Sequence, residues 1–177
     1  TASAGENVDL FWGICGGGGN FGIVTSFEYR LHSVGPEVLA GFVFYPMAVA
    51  KEALRFYGDY AAAAPDDLTS AVFLSADLSG PFLPEDARGS PAVGVGVCYS
   101  GSIEDGERIV QPLRDFGPPL ADQIRPMHYT ELQSMVNDAS PWGRRYYMKS
   151  EYLGGLSDDA IDNMIAYMAE APSRLST

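Results

Sequence analysis

Four consecutive glycines, Gly16 to Gly19, interrupt the run DLFWGICGGGGNFGIVTSFEYR between Asp9 and Arg30. Glycine has no Cβ, so it adopts φ > 0 and lets a ligand or another segment touch main-chain amides, at an entropy cost that a plain surface loop has little reason to bear. Asn20 tolerates the left-handed region and Gly22 extends the permissive stretch. The spacing of Gly17, Gly19 and Gly22 satisfies G-x-G-x-x-G, but a dinucleotide fingerprint needs a helix at its third glycine. Here Ile23, Thr25, Phe27, Tyr29 and Leu31 alternate with Val24, Ser26, Glu28 and Arg30, which predicts a strand. A nicotinamide-binding Rossmann loop fails on that context. With no G-K-[ST] following, a P-loop is excluded as well.

Composition narrows the remaining classes. The chain has 177 residues, is 46% hydrophobic and carries a net charge of −12, which fits a folded protein and opposes a phosphate-backbone partner. No apolar run approaches the roughly 18 residues of a membrane span and no secretory leader is read at the start, so a cytoplasmic location is expected. Two cysteines, Cys15 and Cys98, are too few for a disulfide framework and are read as reduced and structural.

The run DLFWGICGGGGNFGIVTSFEYRLH resembles the end of the flavin-binding domain in FAD-linked oxidases of the berberine bridge enzyme type. PLRDFGPPLADQIRPMHYTELQSM (Pro112 to Met135) and KSEYLGGLSDDAID (Lys149 to Asp162) are similar to the same family, so the resemblance covers essentially the whole chain. It implies FAD as cofactor, a small-molecule substrate oxidised at an alcohol or amine carbon, dioxygen as acceptor, and Gly18, Gly19, Asn20, Phe21, Gly22, Ile23 and Val24 along the flavin. Glycine amides that can donate to anionic oxygens, followed by an apolar pair that can cover a flat ring, agree with that role. The resemblance also implies a fragment: residues 1–31 as the end of the FAD domain, residues 32–177 as a substrate domain incomplete at its C-terminus. Three positions depart from the family pattern: Cys15 stands for its usual Arg, His128 for a frequent Pro and Met148 for its Trp.

Beyond Val34 the pattern predicts strands at Leu39–Tyr45, Leu68–Leu78 and Ala92–Tyr99, with a helix over Met47–Ala64 after the first. Ala50, Leu54, Tyr57 and Ala61 form the apolar face of that helix, which stops before Pro65. Ser102 caps a helix from Ile103 that Pro112 is expected to end or kink. A short strand near Leu120–Arg125, a short helix over Tyr129–Val136 and a strand over Arg145–Tyr152 follow. A last helix opens at Ser157, with Ile161, Met164, Ile165 and Met168 on one face. The expected fold class is α+β, an antiparallel sheet with helices packed on one face.

Within Ala92–Tyr99 the residues Val93, Val95, Val97 and Tyr99 share one face, and Ala92, Gly94, Gly96 and Cys98 the other. The bare face suits either a packed helix or a substrate cavity.

No metal-ligand spacing is present, and no catalytic residue is assigned. His32 and His128 stand outside any nucleophile motif. In the expected strand Arg145–Tyr152, Tyr147 and Lys149 share one face, and Tyr146, Met148, Ser150 and Tyr152 the other. Tyr99, Tyr147, Lys149 and Tyr152 are the substrate-side candidates, because a phenol can bond or deprotonate a substrate hydroxyl. Two other classes stay open. One is a non-catalytic, ferredoxin-like ligand-binding or regulatory module. The other is a subdomain that pairs with its missing half or a second copy, a homo-oligomer favoured if Phe11, Trp12 and Ile14 are exposed.

Overall fold

The computed structural model describes residues 1–137, 142–143 and 147–173. Its contacts cluster into two units, Thr1–Ser33 and Val34–Thr177.

The second unit is built on antiparallel strands β1 (Glu37–Pro46), β2 (Leu68–Leu78) and β3 (Ser90–Tyr99). β3 lies in the middle, paired from Leu39↔Tyr99 to Pro46↔Ala92 with β1 and from Leu68↔Tyr99 to Ser75↔Ala92 with β2. The short strands β4 (Ala121–Asp122) and β5 (Arg125–His128) take the other side of β1. The order is β2-β3-β1-β4, so β2 forms one border of the sheet.

Three helices cover one face: α2 (Ala50–Ala62), α3 (Ile103–Asp115) and α5 (Asp158–Ala169). Leu39, Val43 and Tyr45 of β1 and Val93, Val95, Val97 and Tyr99 of β3 meet Leu54, Val110, Leu113 and Ile161 there. Each aliphatic side chain buried in this layer contributes on the order of 1.5–3 kcal/mol. The expected α+β arrangement is therefore present. A fourth, short helix, α4 (Tyr129–Ser134), additionally covers one end of the opposite face, where Leu132 and Met135 pack on Val38, Ala40 and Met127.

Local chemistry sets the helix starts. Ser102 Oγ accepts from the Asp105 N–H at 3.1 Å, and Ser157 Oγ from the Ala160 N–H at 3.2 Å, each satisfying a donor that the first turn leaves over. At the seam of α2 and α5, Arg55 forks onto Asp158 at 2.6 and 2.7 Å and Lys51 reaches Asp162 at 2.5 Å.

Four expectations need correction. Pro112 does not end α3, which runs on to Asp115. The proline sits in the last turn, where its missing N–H costs one bond, while Leu113 is buried and Arg114 is held by three acceptors. Secondly, the strand expected at Leu120–Arg125 is split into β4 and β5. Between them the Ile124 N–H goes to Asp122 Oδ1 (2.9 Å) and its carbonyl to Arg114 Nη2 (2.9 Å), so side chains take the place of the ladder. Opposite the break stands Gly41, at φ +139°, where a Cβ would lie 2.2 Å from the Gln123 carbonyl oxygen.

Thirdly, Ile23–Leu31 forms no strand; the alternation is there, but a ladder needs a partner, and these residues have none among the described ones and stay exposed. Lastly, residues 147–152 form no strand either and are exposed, while Arg145 and Tyr146 lie outside the described residues.

Candidate functional site

In the first unit, the aromatic run preceding the glycines is a short helix, α1 (Val8–Ile14), with Asp9 in its first turn. A 3-10 turn over Gly18–Phe21 follows. The Phe21 ring folds back onto Gly13 and Gly17: a Cβ on Gly17 would stand 2.4 Å from that ring and 2.1 Å from the Gly13 carbonyl oxygen. These two glycines therefore serve the packing of the loop itself. Asn20 Nδ2 donates to the Gly17 carbonyl at 2.8 Å and fixes the turn.

Gly18, Gly19 and Gly22 answer to a different requirement. Gly18 (φ +62°) and Gly22 (φ +118°) hold backbone conformations that side chains resist, and nothing lies within 4 Å of where a Cβ would be at any of the three. Gly19 has neither strain nor crowding to account for it. Residues 18–24 are all exposed, including the apolar Phe21, Ile23 (93% exposed) and Val24. The loop thus presents open main chain next to an uncovered aliphatic pair. Trp12 is exposed too, whereas Phe11 and Ile14 are half-buried.

In the second unit, the bare face of β3 is neither helix-packed nor hollow. Gly94 lies opposite Phe73 and Gly96 opposite Phe42, and those rings fill the space: a Cβ would come within 2.2 Å of Phe73 at position 94 and 2.8 Å of Phe42 at position 96. Phe42 meets Phe73 edge-on at 5.9 Å, and Phe44 stacks on Phe82 at 5.3 Å. Leu83 and Phe82 close one end of this aromatic layer and α4 closes the other. Between them Phe42 and Phe73 remain half-buried, with Thr69 and Ala71 exposed beside them. Sequence reasoning missed this layer. Its signal was the matching parity of Phe42 and Phe44 in one strand and Phe73 in the next.

Of the substrate-side candidates, Tyr99 lies on the helix-covered face, buried against Leu39 and the close-packed glycines Gly101 and Gly106. Burial, and then the carboxylates of Asp67 and Asp105, raise its phenol above the ordinary tyrosine value. Tyr147 and Lys149 do come together, Nζ 5.7 Å from the ring centroid. Tyr152 is fully exposed. His32 and His128 are both exposed, the latter in β5 opposite Glu37. Cys15 is exposed, against the expectation of a buried structural thiol, and Cys98 is half-buried, where burial raises its thiol. Among the described residues no group of three or more His, Cys, Asp or Glu side chains could hold a metal ion, and no helix is long and apolar enough to cross a membrane.

Comparison with known proteins adds what geometry leaves open. No protein-family model matches the chain. Over 172 residues, 96% of its length, it is 30% identical to an FAD-linked oxidoreductase of Dictyostelium discoideum. The chain is homologous to FAD-linked oxidoreductases. It is also 30% identical, over 132 residues, to (R)-6-hydroxynicotine oxidase of Paenarthrobacter nicotinovorans. The crystal structure of 6-hydroxy-D-nicotine oxidase from Arthrobacter nicotinovorans superposes on 80% of the chain with a TM-score of 0.61 at 26% identity. The homology is partial in one respect: the chain spans 35% and 27% of the length of these two curated relatives and 30% of the crystallised chain.

Proposed function

We propose that this chain is part of an FAD-dependent oxidase of the berberine bridge enzyme type, acting on an alcohol or amine carbon of a sugar or secondary metabolite. The observation that carries the reading is the open main chain at Gly18, Gly19 and Gly22, a place where a side chain would have room and none is present. Such a surface fits a flat, anionic cofactor: amides can approach its oxygens and Ile23 and Val24 can lie along its ring. When bound, FAD supplies the acceptor of a hydride from the substrate and is returned to its oxidised form by dioxygen.

The residues of the chain supply position. Asn20 holds the turn through the Gly17 carbonyl, which keeps the Gly18–Val24 backbone in one shape before the cofactor arrives. Phe42 and Phe73 offer a flat apolar wall on the open sheet face. Tyr147, Lys149 and Tyr152 offer hydroxyl and ammonium donors that suit a substrate bearing oxygen or nitrogen. Tyr99, sealed under α3, has a packing role. The base that would deprotonate the substrate is not assigned to this chain. A cytoplasmic location belongs to the same reading, supported by the two free cysteines. A non-catalytic ligand module has no comparable support, because the relatives named above are oxidoreductases.

The test is the absorption spectrum of the longer protein containing this sequence, purified without added cofactor and then denatured. Bands near roughly 370 and 450 nm are expected from a bound flavin. A colourless protein that takes up no FAD overturns the reading.

A further inference from the structure

The outer border of β2 is built to pair. The Ser100 N–H donates to the Asp67 carbonyl at 3.0 Å, and the register continues Leu68↔Tyr99, Thr69↔Cys98 and onward. In an antiparallel ladder the direction of the main-chain groups alternates, so Thr69, Ala71, Phe73 and Ser75 face β3. Ser70, Val72 and Leu74 therefore turn their N–H and C=O groups outward, and among the described residues no strand pairs with that side.

Natural border strands are protected by lysine, proline, shortness or a central bulge. β2 has none of these. It runs for 11 residues, LTSAVFLSADL, without Lys, Arg or Pro; its one charge is Asp77, and its irregularity falls between Ser75 and Leu78, at the far end. Alongside lies an apolar groove of about 540 Å³ lined by Val72, Leu74, Met164, Tyr167 and Met168, among others, with Tyr167 77% exposed.

We propose that the 177-residue chain forms a two-fold dimer by antiparallel pairing of β2 with β2 of a second copy. Charge selects this occupant. With a net charge of −12, two copies repel over most of their surfaces, and Leu68–Ala76 is an uncharged stretch through which they can meet. Antiparallel self-pairing satisfies the outward groups of Ser70, Val72 and Leu74 on both copies at once, and the interface is self-complementary as a closed dimer requires. The second copy's Val72 and Leu74 side chains fall on the groove side.

The test is sedimentation equilibrium of the chain over a concentration series, with hydrogen exchange on the same samples. A dimer is expected, with amides of Ser70, Val72 and Leu74 gaining protection as concentration rises. Val72→Pro removes only an outward N–H and is expected to yield a folded monomer. Ala71→Lys, which puts a charge on the border at an exposed position, gives the same outcome should the proline variant fail to fold. A wild-type chain that is monomeric throughout overturns the proposal. So does a dimer indifferent to both variants, or protection of these amides in a monomer, where a strand of the same polypeptide has taken the border.

Discussion

The end of the Phe73 ring lies over Gly94, its partner across the ladder, so closely that a Cβ at position 94 would stand 2.2 Å from Cζ. The glycine thus lets an aromatic ring lie flat on the sheet. Gly94→Val forces that ring off the surface and is expected to lower stability by about 1–3 kcal/mol, the usual cost of overpacking. Denaturant titration measures it. Because the two residues share one volume, Phe73→Ala with Gly94→Val should cost less than the two single changes added; strict additivity would refute the contact as the cause.

Gly19 separates ligand approach from backbone strain. Gly18→Ala and Gly22→Ala place a side chain at φ +62° and +118° and strain the loop with or without a ligand. Gly19→Ala meets neither strain nor a neighbour within 4 Å. In the longer protein it should leave melting and circular dichroism unchanged while weakening FAD binding about tenfold, near 1.4 kcal/mol, as read by flavin fluorescence titration. Unchanged affinity would remove Gly19 from the cofactor surface.

Arg114 and Arg55 look alike in sequence and should behave differently. Arg114 bonds Glu107 at 2.5 Å, Asp122 at 2.6 Å and the Ile124 carbonyl at 2.9 Å, tying α3 to the break between β4 and β5 with only 24% of its side chain exposed. Arg114→Met leaves these acceptors without their donor, and a loss of about 2 kcal/mol is expected, largely insensitive to salt. The Arg55–Asp158 fork is exposed on both sides, so Arg55→Ala should change stability little, and the remaining difference should vanish at high salt. Urea unfolding at low and high ionic strength distinguishes the two.

Alkaline pH should unfold the second unit through its buried phenols. Tyr60 donates to the Ile109 carbonyl at 3.2 Å, and burial pushes its phenol from 10.0 up to about 12. Tyr45, which donates to the Leu113 carbonyl, is raised further, by burial first and then by Asp122. In the unfolded chain both ionise near 10, so above that pH the unfolded state binds fewer protons than the folded one. Stability is then constant below pH 10 with respect to these groups and falls as pH rises toward 12. Tyr60→Phe should flatten the fall in that window, measured as the pH dependence of the unfolding midpoint; an unchanged slope would assign it elsewhere.

Local chemistry made much of the second unit legible from the sequence. Period-two runs gave β1, β2 and β3, Ser102 and Ser157 announced their helices, and Pro65 followed the end of α2. These signals are read within one turn or one strand, where a residue's neighbours are its sequence neighbours. The glycine loop was legible for the same reason, since Gly18 and Gly22 carry their φ angles locally.

What only the tertiary structure decided depends on distant partners. Ile23–Leu31 has the alternation of a strand and no ladder, because pairing is a property of two segments. Pro112 sits inside a helix because Leu113 and Arg114 are held by residues elsewhere in the fold. The bare face of β3 took its meaning from Phe42 and Phe73 on the two flanking strands. Tyr99 went to the core because one register put it beneath Gly106 of α3, and a strand's parity fixes which residues share a face but not which face receives the helices.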